Sequence, residues 1–253
     1  MVKNNIASSK RENVDNYFIK KGYKINQSSI NGAKEYQDYE QSSAKFQLRV
    51  YRYAAKVVKK YKIESVLDIG CGHGYKLRKY LSPLCSDIVG IDKNHSIDYC
   101  RKMYDFGNWY PDDIEDTKIA LDRKFGMIIS SDVIEHLSDP DCLLDYIKRY
   151  SSDKTWIIIS TPERDRLSNV NMNGPPINPY HVREWNRLEF SAYLSNRGFE
   201  IMQHRMAGDY QLNFYQVLKK IALGRYVKTI QVLVCRYRNC RSGTNSNTKL
   251  PNV

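Results

Sequence analysis

Val66-Leu67-Asp68-Ile69-Gly70-Cys71-Gly72-His73-Gly74 runs a short apolar stretch straight into a turn with glycine at every second position. The apolar stretch reads as a buried strand. The glycines let the backbone bend tightly and let a ligand lie where a Cβ would collide. A dinucleotide fingerprint carries its third glycine one residue later, where this chain has Tyr75, and no phosphate-loop lysine pattern is present. The next apolar run, Val89-Gly90-Ile91-Asp92, ends in a carboxylate 18 residues beyond Gly74. An acid at that place can accept both hydroxyls of a ribose; away from such a turn it would read as a helix cap.

Outward from the turn, apolar runs alternate with helical spacing: strand 65–69, helix 74–82, strand 87–91, helix 95–104, a short strand near 108–110, strand 126–130, helix 140–150 and strand 156–160. Strict alternation predicts a parallel sheet with crossover helices on both faces. Ser138-Asp139-Pro140 offers a polar cap followed by a proline in the first turn. Ahead of the sheet, apolar residues between positions 42 and 62 recur at helical spacing with basic residues between them, which predicts an amphipathic helix. Behind it, 161–184 reads as a long irregular loop around Gly174 and three prolines, followed by a helix at 186–197 and strands at 199–206 and 228–237.

With 253 residues, 42% hydrophobic and 27% charged, the composition is that of a globular protein and excludes fibrous and disordered classes. Six cysteines without a Cys-x-x-Cys pair argue against a zinc ribbon or a disulfide framework. No stretch approaches the roughly 18 to 20 apolar residues of a membrane span, and the expected location is cytoplasmic. The net charge of +12 is uneven: +9 over residues 1–62, −5 over 63–214 and +8 over 215–253. Basic flanks of this kind attract RNA, an anionic membrane surface or a phosphate-bearing substrate, or are simply solvated. The organisation expected is a polar arm at 1–41, one domain at 42–237 and a basic, polar tail at 238–253.

Taken together, these residues resemble class I S-adenosylmethionine-dependent methyltransferases over about residues 44–206. The turn from Asp68 through Gly70, Cys71 and Gly72 to Gly74 is similar to the family's first motif. Asp92 resembles its ribose-binding acid, Asp113-Ile114 the pair that contacts adenine, and the stretch from Phe125 to Leu137, with Ser131 in it, the fourth motif. Gly126 and Met127 depart from it, standing where the family commonly has an acid. The resemblance implies a Rossmann-like, mostly parallel seven-stranded sheet with helices on both faces, and S-adenosylmethionine as cofactor. That cofactor has no phosphate, so backbone contacts and a diol-binding acid suit it, and an acidic middle suits its sulfonium.

Acceptor choice falls to three features that follow strand ends: Asp132-Val133-Ile134-Glu135-His136, Thr161-Pro162-Glu163, and Asn178 to Trp185. In one reading Asp132, Glu135, His136 and His181 surround a divalent metal such as Mg, as in the small-RNA 2′-O-methyltransferases and ubiquinone-pathway O-methyltransferases that this acid-acid-His pattern resembles. In the other, Glu135 caps or orients the loop and His136 or His181 acts as general base. Trp185 reads as part of a lid, and Arg164, Arg166 and Arg183 as holders of a phosphate on the acceptor. The two loop stretches also resemble bacterial methyltransferases found with glycan-assembly enzymes, which implies a sugar, glycan or other small-molecule hydroxyl as acceptor. The alternatives are an RNA 2′-O-methyltransferase and a non-catalytic protein that binds the cofactor on this fold.

Overall fold

In the computed structural model, residues 16–30, 45–167, 172–208 and 229–238 are described. Most of the expected arm and tail, the start of the expected first helix, Lys228 and Cys240 lie outside them. Five strands, β1 (Ser65–Ile69), β2 (Asp87–Asp92), β3 (Asn108–Pro111), β4 (Met127–Ser131) and β5 (Trp156–Pro162), are mutually parallel in the order β3-β2-β1-β4-β5. The sheet is completed by β7 (Ile230–Tyr237), antiparallel to β5, and by β6 (Phe199–Ala207), antiparallel to β7 at the edge. The alternation predicts the parallel strands with their crossover helices, and the seven-stranded, mostly parallel sheet is the one that the resemblance implies. The chain runs outward from β1 to β3 on one side and from β4 to β5 on the other, so the topological switch point falls between β1 and β4.

Successive strand residues face opposite layers, which gives the sheet two cores. One face packs Val66, Met127 and Ile158 against α1 (Leu48–Tyr61), α2 (Leu77–Leu81) and α3 (Asn94–Met103). The other packs Leu67, Ile128 and Ile157 against α4 (Pro140–Tyr150) and α5 (Arg187–Asn196). In α1 the buried set Leu48, Val50, Tyr51, Ala54, Val57 and Val58 turns to the sheet, while Arg52, Lys56, Lys59 and Lys60 stay exposed. The helix after the glycine turn differs from an ordinary one: α2 carries a wider, i to i+5 turn, with Ser82 N–H donating to the Leu77 carbonyl at 2.9 Å. Asp139 caps α4 through the Asp141 N–H with Pro140 in the first turn, and Asn186 with Glu189 forms a reciprocal capping box on α5.

The inner part of the expected arm is docked onto the domain. Tyr17, Ile19 and Tyr23 are buried in the α4/α5 core, and Lys24 N–H and Asn26 N–H donate to the carbonyls of Asn173 and Val182. Residues 16–30 therefore form a strap across the long loop. The strap lacks helical or strand periodicity because its few apolar side chains plug separate holes in another element's surface.

Candidate functional site

The glycine turn sits at the carboxyl end of β1, pinned to β2 by Gly70 N–H and Cys71 N–H donating to the Ile91 carbonyl at 2.8 and 3.1 Å. Gly70, Gly72 and Gly74 all have positive φ, at 78, 54 and 68°. A Cβ on Gly70 would lie 2.3 Å from Val133 Cγ2, so neither the backbone conformation nor the space admits a side chain. Asp92 closes the turn's rim: its Oδ2 accepts Gly72 N–H at 2.7 Å and its Oδ1 accepts Lys93 N–H at 2.7 Å.

The other sequence-predicted cofactor residues take varied places. Cys71 is buried with its Sγ turned to the Gly72 carbonyl, so it offers backbone to the crevice. Ser131 is buried and shares a hydrogen bond with Ser160 Oγ at 2.8 Å. Asp113 is exposed after β3 and accepts Glu115 N–H, while Ile114 packs against the core. Its neighbour Asp112 braces the same loop, accepting from Thr117, Tyr146 and Lys118 N–H. Asp68 is fully buried and accepts the Tyr51 hydroxyl on both oxygens, at 3.0 and 2.8 Å. Burial pushes its carboxyl up to about 7 against the lowering pull of Tyr51 and Lys76.

Across the switch point, Glu135, His136 and His181 present ligand-type atoms all within 4.8 Å of one another. Glu135 is fully buried; its Oε2 accepts the Thr161 hydroxyl at 2.9 Å, and its Oε1 has no hydrogen-bond partner among the described residues. Burial and the neighbouring Asp132 raise this carboxyl well above the usual range. His136 donates from Nδ1 to the Tyr180 carbonyl at 2.9 Å, and burial followed by His181 lowers it to about 3. Its ring meets that of His181 edge to face at 4.8 Å.

His181 is fixed at both nitrogens, at 2.6 Å by Glu184 Oε1 on Nδ1 and at 2.8 Å by the Asn178 amide on Nε2. Asn178 Oδ1 accepts Tyr180 N–H, which leaves the amide NH2 facing the ring. Nε2 is therefore the acceptor and Nδ1 carries the proton. Asp132 stands apart from this trio, its chain in the left-handed region (φ 55°) and its Oδ1 accepting Ser160 Oγ at 2.6 Å. The Glu135 backbone also reaches the loop, its carbonyl accepting Val182 N–H at 2.8 Å.

Three readings of the acceptor loop change. Trp185 is no lid: it is fully buried, stacked on Tyr193 at 5.7 Å, and donates from Nε1 to the Tyr17 carbonyl. Arg164 is 1% exposed and committed to Glu189 and the Glu184 carbonyl, and Arg183 is 2% exposed and donates to the carbonyls of Leu137 and Ser138. Neither is placed to hold a phosphate; of the three arginines only Arg166 is exposed. A run of charged residues beside a proline-rich loop reads as surface, yet these cations brace that loop from inside.

Sequence reasoning passed over Lys76 and Gln47. Lys76 is 6% exposed in the first turn after Gly74, and its Nζ donates to Gln47 Oε1 at 2.6 Å. The signal was a lysine next to Leu77 on a helix whose inner face is otherwise apolar.

The family model described as a methyltransferase domain matches residues 37–204. A probable S-adenosylmethionine-dependent methyltransferase of Mycolicibacterium smegmatis is 26% identical over 137 residues, covering 54% of this chain and 52% of that one. One of Mycobacterium tuberculosis is 26% identical over 135 residues, 53% of this chain and 48% of the relative. The chain thus spans about half the length of the curated relatives it matches. Among solved structures, the plantazolicin methyltransferase BpumL in complex with SAH superposes with a TM-score of 0.54 at 19% identity, over 79% of this chain and 86% of that one. The [4+2]-cyclase SpnF superposes with a TM-score of 0.55 at 15% identity, over 74% and 81%.

Proposed function

The chain belongs to the S-adenosylmethionine-dependent methyltransferase family, and from that premise we propose that it moves the cofactor's methyl group to a hydroxyl oxygen of a sugar, glycan or other small molecule. A fold that also serves a cyclase does not settle the reaction, so the argument rests on the site. The observation that carries it is the buried Glu135 Oε1, without a partner among the described residues, beside two imidazoles at the carboxyl end of β4. Such a group is an acceptor for the proton that a hydroxyl must lose.

Asp92 would take the ribose diol while the Gly70–Gly74 backbone lies against the nucleoside. The acceptor oxygen attacks the methyl carbon from the side away from sulfur. The O–C bond forms as the C–S bond breaks, sulfur leaves as the neutral thioether, and the hydroxyl proton passes to Glu135. His136 would hold the acceptor against Glu135, its ring set by the Tyr180 carbonyl on Nδ1 and by the edge-to-face contact with the fixed His181 ring. The residues also fit a divalent ion, since Glu135 Oε1 lacks a partner among the described residues and burial keeps the His136 ring neutral, while His181 would have to exchange the Asn178 amide on Nε2 for the ion. Glu135, His136 and His181 would hold it, a set that suits a borderline transition ion better than the oxygen-seeking Mg2+. Such an ion lowers the pKa of a bound hydroxyl.

The test is calorimetric titration with S-adenosylhomocysteine, then transfer of labelled methyl to a panel of sugars, glycans and phenols with and without chelator. Binding plus label on oxygen supports the reading. No binding, or label only on nitrogen or carbon, overturns it. A second reading, RNA as acceptor, is favoured by the exposed cations of α1, a helix without a single acid. Its signature is RNA affinity that falls steeply with added salt.

A further inference from the structure

The rim of the acceptor side is built from two segments that carry no acid. In residues 16–30 the charged side chains are Lys20, Lys21 and Lys24, and residues 172–182 contain no Asp, Glu, Lys or Arg. The next acid, Glu184, is buried against His181. Lys21 and Lys24 are exposed, and the loop beside them is apolar at its tip: Met172 is 42% and Ile177 59% exposed, with Pro175 and Pro179 exposed as well. The other exposed large hydrophobics among the described residues stand singly on other elements, an arrangement that asks for no partner.

The strap enforces this exposure. Lys24 N–H donates to the Asn173 carbonyl at 2.8 Å, and Asn26 Nδ2 and Ser29 Oγ donate to the Pro179 carbonyl at 3.3 and 2.6 Å, so the stretch between is pinned at both ends. At Gly174 a Cβ would lie 2.0 Å from the Lys24 carbonyl oxygen, which leaves the loop no room to sink further. Pro176 is buried, and Pro175 and Ile177 on either side of it stay out. The same loop builds the site, since Asn178 holds His181 and the Tyr180 carbonyl receives His136.

An apolar tip flanked by lysines, on a rim without acids, is complementary to an anionic bilayer: the apolar side chains enter the acyl boundary and the lysines meet headgroup phosphates. Nucleic acid fits this rim less well, because its bases stack on flat aromatic faces and the Met, Ile and Pro of the tip offer none. We propose that this rim rests on an anionic bilayer and that the acceptor hydroxyl belongs to a lipid-borne molecule. The acceptor half rests on the methyl-transfer reading, whereas the bilayer contact does not.

The test is co-sedimentation of the full chain with vesicles of phosphatidylcholine, alone or mixed with phosphatidylglycerol. Wild-type protein is expected on the mixed vesicles and not on phosphatidylcholine alone. Ile177→Ser should weaken the partition by about 5- to 20-fold, the share of a full side-chain burial that its exposure leaves to be gained. Lys21→Gln and Lys24→Gln should each cost about fivefold. The exposed cations of α1 supply the control: Lys59→Gln with Lys60→Gln should change the partition by less than about threefold. All of these variants should bind S-adenosylhomocysteine as the wild type does.

No partition onto mixed vesicles, equal partition onto both kinds, or a loss confined to the α1 variant overturns the bilayer contact, as does single-stranded RNA that displaces the vesicles through the same residues. The methyl-transfer reading survives each of these outcomes. Labelled methyl that reaches soluble sugars but not the hydroxyls of a vesicle-borne glycolipid overturns the lipid-borne acceptor alone. A chain that binds vesicles but not S-adenosylhomocysteine overturns the methyl-transfer reading and the acceptor half, and supports the bilayer contact.

Discussion

The glycine turn draws its partners from nearby in the chain, whereas the acceptor side is joined across most of it. Gly72 N–H reaches Asp92 over 20 residues, and Tyr51 reaches Asp68 over 17. On the acceptor side, Glu184 N–H donates to the Tyr23 hydroxyl over 161 residues, and Trp185 to the Tyr17 carbonyl over 168. The first region is shaped by backbone conformation and local packing. The second exists only once the strap has closed on the loop. Changes in one region should therefore be separable from changes in the other, binding of the nucleoside from transfer of its methyl group.

The largest expected separation is at Glu135. Glu135→Gln preserves shape and the Thr161 contact but removes the proton acceptor, and transfer is expected to fall about 10²- to 10⁴-fold. Calorimetry with S-adenosylhomocysteine should return the wild-type affinity; a matching loss of binding would join the two regions instead. The reverse experiment is Gly70→Ala. It meets positive φ and a 2.3 Å contact with Val133, and a cost of about 2–4 kcal/mol is expected in thermal unfolding, with nucleoside binding lost.

The same contrast governs what the sequence makes legible. The order of strands and helices, the turn and Asp92 are written in contiguous stretches, where spacing reports local geometry. Even Asp139-Pro140 and Asn186 announce the helices that they cap. Burial of a charge is not written that way. Lys76, Arg164 and Arg183 look like any surface cations, and their partners Gln47, Glu189 and the Leu137 carbonyl are fixed by tertiary contact. Trp185 reads as a lid for the same reason, because the Tyr17 carbonyl that receives its N–H comes from a segment without periodicity. Glu135, His136 and His181 are individually visible, but their convergence depends on the loop folding back.

A smaller effect belongs to the turn side and appears as pH dependence. The folded chain holds Asp68 up to about 7, chiefly through burial, whereas the unfolded chain releases that proton near the ordinary 3.8. Between these values the folded state binds more protons, so this residue's contribution to stability falls as pH rises and levels off above about 7. Asp68→Asn should flatten that part of the stability profile, measured by denaturant unfolding across pH. An unchanged slope would assign it to other groups.

The smallest expected effect probes the strap itself. In Tyr23→Phe the ring stays, and with it the face that Arg164 covers at 5.1 Å, so packing is preserved. What goes is the hydroxyl that receives Glu184 N–H at 3.2 Å, leaving a buried donor unsatisfied at a cost of about 1 kcal/mol. Glu184 also holds His181 Nδ1, so a shift of its backbone loosens the imidazole that faces His136. Transfer should fall by less than about tenfold while S-adenosylhomocysteine affinity stays at its wild-type value. If affinity falls in step with transfer, the strap supports the glycine turn as well, and the contrast between a local and a long-range half of the crevice fails.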